Sequence, residues 1–372
     1  RRLRLCVASL TDSWHAAPAS SSVSMTTASG EMTHEISDRR SLVESISRSS
    51  IASNGNFSGA SGCILRLVGT ESWKRNKIWY IWGWFFSLFF VSVSVYVIIS
   101  NVQYIQQGTI DTKLNALGWV VISFSAMLHW VFAVRLRSQC PNADSADVRC
   151  ISAIVCTGLI LEEVGGYMPW FMGLIDPTWG VAKFVSPLYL NLLWFLFDIM
   201  ATLVQYSTAL LLLHQCDVLK LQVLRIRGSD DNDIHSATRQ EVLRVKANWQ
   251  CFLMFHFLLG FISCALFFFG GFAVKGSGLH RFYGWSSNFT SLSWAMCMVL
   301  VHLYPLFKYN CAVEQQKRLA LDYSGLRRFQ SQPLYLKVLG IKVGKAFLRT
   351  VVIAALGAAG SQVCQRALQT LQ

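Results

Sequence analysis

Seven apolar runs separated by polar connections constrain this chain more than any other feature. They cover residues 78–100, 117–134, 151–175, 185–213, 249–274, 289–307 and 346–364, and each is close to the roughly 20 residues that a helix needs to cross a bilayer. Inside lipid a spanning segment has to satisfy its own backbone hydrogen bonds, so runs of this length fold as helices. The predicted class is therefore all-α: a polytopic membrane protein with seven transmembrane helices. Composition agrees, because 53% hydrophobic and 14% charged residues are too apolar a mixture for a soluble domain of 372 residues. The fourth and fifth runs are longer than a bilayer requires, which predicts tilt or projection beyond it. Trp79, Trp82, Trp84 and Trp119 stand near run ends, where aromatic rings suit the membrane interface.

The connections fix an orientation. Of the 33 Lys and Arg, 28 fall on one side of the seven runs and 5 on the other. Basic connections stay inside, which predicts a cytoplasmic N-terminus and an extracellular C-terminus. A seven-helix receptor of the G-protein-coupled type has the reverse orientation. Asn288-Phe289-Thr290 is a glycosylation sequon on the side predicted to be outer, directly against the sixth run, and Asn56-Phe57-Ser58 repeats the pattern on the cytoplasmic side. The net charge of +13 is spread between apolar spans instead of forming one basic stripe with interleaved aromatics, so no nucleic-acid partner is expected. The 11 cysteines include no CxxC pair and no metal-ligand spacing, and several, such as Cys156, Cys251, Cys264 and Cys297, sit inside apolar runs as small hydrophobes. Neither a metal nor a cofactor is expected.

Residues 1–74 are rich in serine, as in Ser20-Ser-Ser-Val-Ser24, and cannot bury enough apolar surface to order themselves. They are expected to form a disordered cytoplasmic tail ahead of a helical domain over 75–368. The chain opens on Arg1 and shows no charged-apolar-small cleavage pattern, so a fragment without a visible signal peptide is expected.

The last run differs in kind from the other six. Ala354, Ala355, Gly357, Ala358, Ala359, Gly360 and Ser361 let helix backbones approach closely or leave room for water, whereas a lipid-facing span is normally bulky. Residues three or four apart share a helix face, which puts Val351, Ala355, Ala358, Gln362 and Gln365 in one stripe. This stripe is the predicted pore lining, with amide oxygens of Gln362 and Gln365 offered to a partly hydrated cation and an apolar constriction of alanines and Val351.

The stretch from Tyr304 to Gln365, with Arg327-Arg328-Phe329, Leu336-Lys-Val-Leu-Gly340 and a terminal small-residue helix, resembles the insect gustatory and odorant receptor superfamily and the gustatory-receptor-like proteins found outside insects. The insect pattern of Thr-Tyr, five residues, then Gln-Phe is not met, because Gln365 is followed by Arg366 and Ala358 stands where the Thr would be. The resemblance implies a distant member: a ligand-gated, non-selective cation channel that assembles as a homo- or hetero-tetramer in the plasma membrane, with the last helix lining the pore. It also implies a cytoplasmic anchor, here over about 210–250 and 305–345.

Chemistry-bearing residues are few. Glu162, Glu163 and Asp198 lie near the middle of apolar runs, where an ionisable group costs about 2.5 to 3.5 kcal/mol and should face protein or water. Ligand recognition, cation attraction, proton relay and a hydrogen-bonded structural acid all remain open for them. Tyr167, Trp170, Tyr189, Trp194 and Trp294 belong to the predicted outer half and are candidates for an aromatic surface that binds a small molecule, although such residues also serve as packing. His129, His256 and His302 stand on three different runs, with no pair at ligand spacing on one helix, and read as packing residues that hydrogen-bond across helices. There is no Gly-x-Ser-x-Gly, His-Glu-x-x-His or phosphate loop, so an enzyme is not expected. A transporter or a non-conducting seven-helix scaffold or receptor is the alternative to a channel; a transporter would normally show repeats or matching broken helices, which are not visible.

Overall fold

The computed structural model describes residues 60–69, 77–136, 146–175, 188–226, 232–274, 278–319 and 334–371. The chain divides into two units, Arg1–Asn56 and Phe57–Gln372; the first lies outside the described residues, as does most of the expected tail. A short helix α1 (Ala60–Leu67) precedes seven long ones: α2 (Lys77–Gln107), α3 (Ile110–Arg135), α4 (Ala146–Ile175), α5 (Leu188–Arg225), α6 (Asn232–Ala273), α7 (Gly278–Leu319) and α8 (Lys345–Leu371). Each coincides with one apolar run of the sequence, to within three residues where it falls short, and extends it at one or both ends. Among the described residues six helices are long and apolar enough to cross a membrane: α2, α3, α5, α6, α7 and α8.

The extensions follow from packing. Helices α5, α6 and α7 have 38, 42 and 42 residues, which at 1.5 Å per residue makes them about 57 to 63 Å long, twice a hydrocarbon core. Two apolar cores account for that length. One gathers Phe90, Val93, Val97, Trp119, Phe197, Val204, Phe267, Leu292 and Trp294 from α2, α3, α5, α6 and α7. The other gathers Leu219, Val223, Ile226, Val245, Trp249, Phe252, Phe307, Tyr309 and Val313 from the projecting ends of α5, α6 and α7, and adds Leu334, Leu336, Val338 and Val343 from beyond α7. Some residues of this second core, such as Leu219, Val245 and Val313, lie within 210–250 and 305–345, and others, such as Phe132, Phe257 and Leu303, lie outside. Packing pairs α3 with α6, α4 with α7, and α5 with both α3 and α7.

Between α7 and α8 the chain makes a small hairpin, β1 (Lys337–Val338) antiparallel to β2 (Ile341–Lys342). Both turn residues have positive φ, Leu339 at 50° and Gly340 at 77°, the geometry of a two-residue hairpin that glycine adopts without strain. Asn310 of α7 clamps the strands. Its Nδ2 donates to Leu336 O at 2.8 Å and Val343 O at 3.0 Å, and its Oδ1 accepts from Leu336 N at 3.0 Å. Tyr309 donates to Leu334 O at 2.7 Å. Glu314 accepts from Tyr335 at 2.8 Å and pairs with Lys342, whose ammonium lies 3.9 Å from the Tyr335 ring centre. Burial and the Glu314 carboxylate together push the Tyr335 phenol up from its ordinary value.

Two sequence expectations are corrected here. Residues 60–69 are not part of a structureless tail: Leu65 and Val68 are buried, one in each core. Trp82 donates to Leu67 O at 3.1 Å, and Gly69, at φ 80°, meets Gly83 so closely that a Cβ on either would fall within 2.7 Å of the other's Cα. The sequon at Asn288 is not in a connection, because α7 begins ten residues earlier, at Gly278. Asn288 is buried, donates to Gly284 O at 2.8 Å and accepts from Asn115 at 3.2 Å, which leaves no access for glycosylation.

Candidate functional site

Two places gather the residues predicted to act: an aromatic and acidic cluster at one end of the bundle, and the surface of α8. Trp119 is the hub of the first. Its ring centre lies 5.8 Å from Trp194, 6.0 Å from Trp294, 5.9 Å from Phe267 and 6.5 Å from Phe197. Ring spacings of this size are those of packed aromatic clusters. Trp294 is fully buried and its indole N–H donates to Thr202 at 3.1 Å, so it belongs to the core and presents no surface to a ligand. Trp194 is different. It is half-buried and forms one wall of a cavity of about 310 Å³ whose other walls are Tyr96, Ile99, Ser100, Gln103, Tyr104 and Gln107. That size suits a small molecule, and hydroxyl and amide groups alternate with apolar surface around it. Of the other aromatic candidates, Tyr167 belongs to α4 and Tyr189 to α5, as Trp170 does to α4, with side chains outside the described residues.

The carboxylates diverge. Glu162 is buried on α4 and accepts from Ser291 of α7 at 3.0 Å, while its second oxygen has no hydrogen-bond partner among the described residues. Neither oxygen of Glu163, the next residue round the helix, has one either. Asp198 is buried on α5. Helix α7 thus tethers one acid through a hydroxyl, and no described cation neutralises it, the arrangement expected of a neutral acid that joins two helices in an apolar setting.

On α8 the predicted stripe is turned toward the chain's own bundle. Gln362 is fully buried, and its Nε2 donates to Phe268 O at 2.9 Å and Phe267 O at 3.4 Å of α6. Val351 packs against the second core, Ala355 and Ala358 are half-buried, and the side chain of Gln365 is outside the described residues. These bonds tie α8 to α6 at a level six and five residues before the last residue of α6, Ala273. The opposite face carries Ile353, Leu356, Gly357, Gly360 and Cys364, all exposed. Sequence spacing put the stripe residues on one face and could not say which way that face points.

Two further constellations lie elsewhere in the bundle. Asp147 of α4 accepts from Tyr304 at 2.6 Å and pairs with Lys308 of α7 at 3.4 Å, which sequence reasoning missed. His129, His256 and His302, expected to hydrogen-bond across helices, do so and converge in one buried cluster.

No protein-family model matches the sequence, and no curated protein matches it significantly. Among solved structures, the chain is similar to the insect olfactory receptor OR5 from Machilis hrabei, solved in complex with eugenol, with a TM-score of 0.52 and 12% identity over 82% of this chain and 96% of that one. The chain therefore has the fold of that receptor over nearly the receptor's whole length.

Proposed function

We propose that the chain is one subunit of a ligand-gated cation channel in the plasma membrane, with seven spans including α4, a cytoplasmic N-terminus and a small-molecule site at the Trp194 cavity. The observation that carries this reading is α8. A membrane helix with small residues and most of its surface uncovered by its own chain is suited to packing against copies of itself. Its exposed face of Ile353, Leu356, Gly357, Gly360 and Cys364 is the one available to a shared axis, and the stripe through Gln362 anchors the helix from behind. The second core keeps α5, α6 and α7 together at the cytoplasmic end, in the place of the anchor that the sequence resemblance implies. Eugenol, which the olfactory receptor binds, is a small aromatic molecule with polar oxygens. A ligand of that general chemistry matches the cavity's tyrosines, glutamines and Trp194.

The test has two arms. Chemical cross-linking and mass photometry in mild detergent should give a tetramer; a monomer would remove the shared pore and leave a non-conducting seven-helix receptor. Cysteine substitutions at Leu356 and Gly360 should render a ligand-evoked or constitutive current sensitive to a water-soluble thiol reagent. Currents indifferent to modification at both positions would sink the assignment of this face to the conduction path.

A further inference from the structure

His129 of α3, His256 of α6 and His302 of α7 meet between the two cores, each at most 2% exposed. One ring nitrogen from each lies within 4.8 Å of the others. Thr208 of α5 completes the group. Its Oγ1 is 2.6 Å from His129 Nδ1 and 3.0 Å from His302 Nε2, while His129 Nε2 is 2.8 Å from His256 Nδ1 and His302 Nδ1 is 3.0 Å from Met298 O. Phe252 closes one side, with its ring 4.7 Å from that of His129.

With neutral rings, one ordering of protons satisfies every contact among the rings, the Thr208 hydroxyl and Met298 O, in competition with Gln205 O, which lies 2.8 Å from the same hydroxyl. A carbonyl only accepts, so His302 carries its proton on Nδ1 and bonds Met298 O; its Nε2 is then a lone pair that takes the Thr208 hydroxyl proton. Thr208 in turn accepts from His129 Nδ1–H, and His129 Nε2 accepts from His256 Nδ1–H. The chain ends on His256 Nε2, which is buried and has no hydrogen-bond partner among the described residues.

We propose that the three histidines form a binding site for a first-row transition-metal ion that favours imidazole, Zn2+ or copper, through His129 Nε2, His256 Nδ1 and His302 Nε2. Two of these nitrogens already hold lone pairs. The third gains one when the His256 proton moves from Nδ1 to the vacant Nε2, a tautomer change that releases no proton from the site. Thr208 then turns its hydroxyl to Gln205 O, which lies 2.8 Å away, and still accepts from His129 Nδ1–H. That bond holds the ring as outer partners of metal-bound histidines do. Tetrahedral ligation with metal–nitrogen bonds near 2.0 to 2.1 Å separates the nitrogens by about 3.4 Å, so His129 and His256 need to part by about half an ångström while a pair standing at 4.8 Å needs to close by about 1.4 Å. Three neutral imidazoles leave the ion's charge in place, which in an apolar interior favours a singly charged ion or one that carries hydroxide in the fourth position. A bound ion would tie α3, α6 and α7 together at the level where the two cores meet.

The experiment uses the full chain purified in detergent with a tag free of histidine, stripped with chelator and equilibrated separately with Zn2+, Co2+ as a spectroscopic stand-in, and Cu+. Elemental analysis after desalting should give about one ion per chain in the Zn2+ or Cu+ arm, and Co2+ should develop the visible absorption of a tetrahedral nitrogen site. The preferred ion should also raise the melting temperature by about 3 °C or more at a hundredfold excess over its Kd. His256→Gln and His302→Gln should each lower uptake at least tenfold, whereas His214→Ala, on α5 outside the cluster, should leave it unchanged. Failure of the wild-type chain to take up any of the three ions overturns the proposal without reference to whether a variant folds. Uptake that survives both cluster variants overturns it as well.

Discussion

Helices α5 and α8 are both apolar enough to span a bilayer, yet 83% of the α5 span is buried inside the chain and only 12% of the α8 span. Helix α5 is surrounded by α2, α3, α4, α6 and α7, and its residues from Phe197 to Ile226 supply both cores. Among the described residues α8 packs chiefly against α7 and α6. It is held at its start by the clamped hairpin and farther along by the Gln362 amide. Hydropathy measures escape from water and says nothing about which apolar surface receives the helix. A helix in the middle of a bundle and one at its margin can therefore look alike in composition while their neighbours differ completely.

The sharpest way to break this contrast is to truncate one side chain on each helix and on each tether, and to read thermal unfolding of the purified chain. Leu219→Ala, in the second core on α5, should cost about 3 kcal/mol, because it leaves a cavity in a packed site. Asn310→Ala should cost about 2 kcal/mol by leaving two strand carbonyls and one amide without their partner. Gln362→Ala should cost about 1 kcal/mol and should speed hydrogen exchange along α8 but not along α5. Leu356→Ala, on the exposed face of α8, should change the stability of a single chain by no more than about 0.5 kcal/mol. If Leu356→Ala destabilised a monomer as much as Leu219→Ala, the margin and the middle of the bundle would not differ in the way described. A loss confined to the assembled form would instead locate an interface on that face.

The apolar runs were legible in the sequence because they depend on local composition and on the span of a bilayer, whereas the helix lengths were not: the run at 289–307 became the 42-residue α7. The hairpin was not read from the sequence, which predicted an all-α fold. Leu336-Lys-Val-Leu-Gly340 stood out, and a glycine at a position of positive φ has a local cause. Its clamp was not legible, since Asn310 lies 26 residues away from Leu336 and 33 from Val343. The carboxylates could be placed at mid-span, whereas the Ser291 partner of Glu162, 129 residues distant, could not.

Sequence by itself determined that this chain is helical, apolar and built of long runs joined by unevenly charged connections, because periodicity and hydropathy are properties of neighbouring residues. It also determined that Val351, Ala355, Ala358 and Gln362 share a face of α8, which follows from 3.6 residues per turn. Tertiary structure alone decided that this face looks inward, that Trp294 is core while Trp194 borders a cavity, and that three histidines separated by 127 and 46 residues meet at hydrogen-bonding range. These outcomes depend on how each helix is rotated about its axis. Rotation is set by contacts between helices far apart in the chain, such as a glutamine reaching the carbonyls of α6 or a threonine placed between two imidazoles, and no local pattern encodes them.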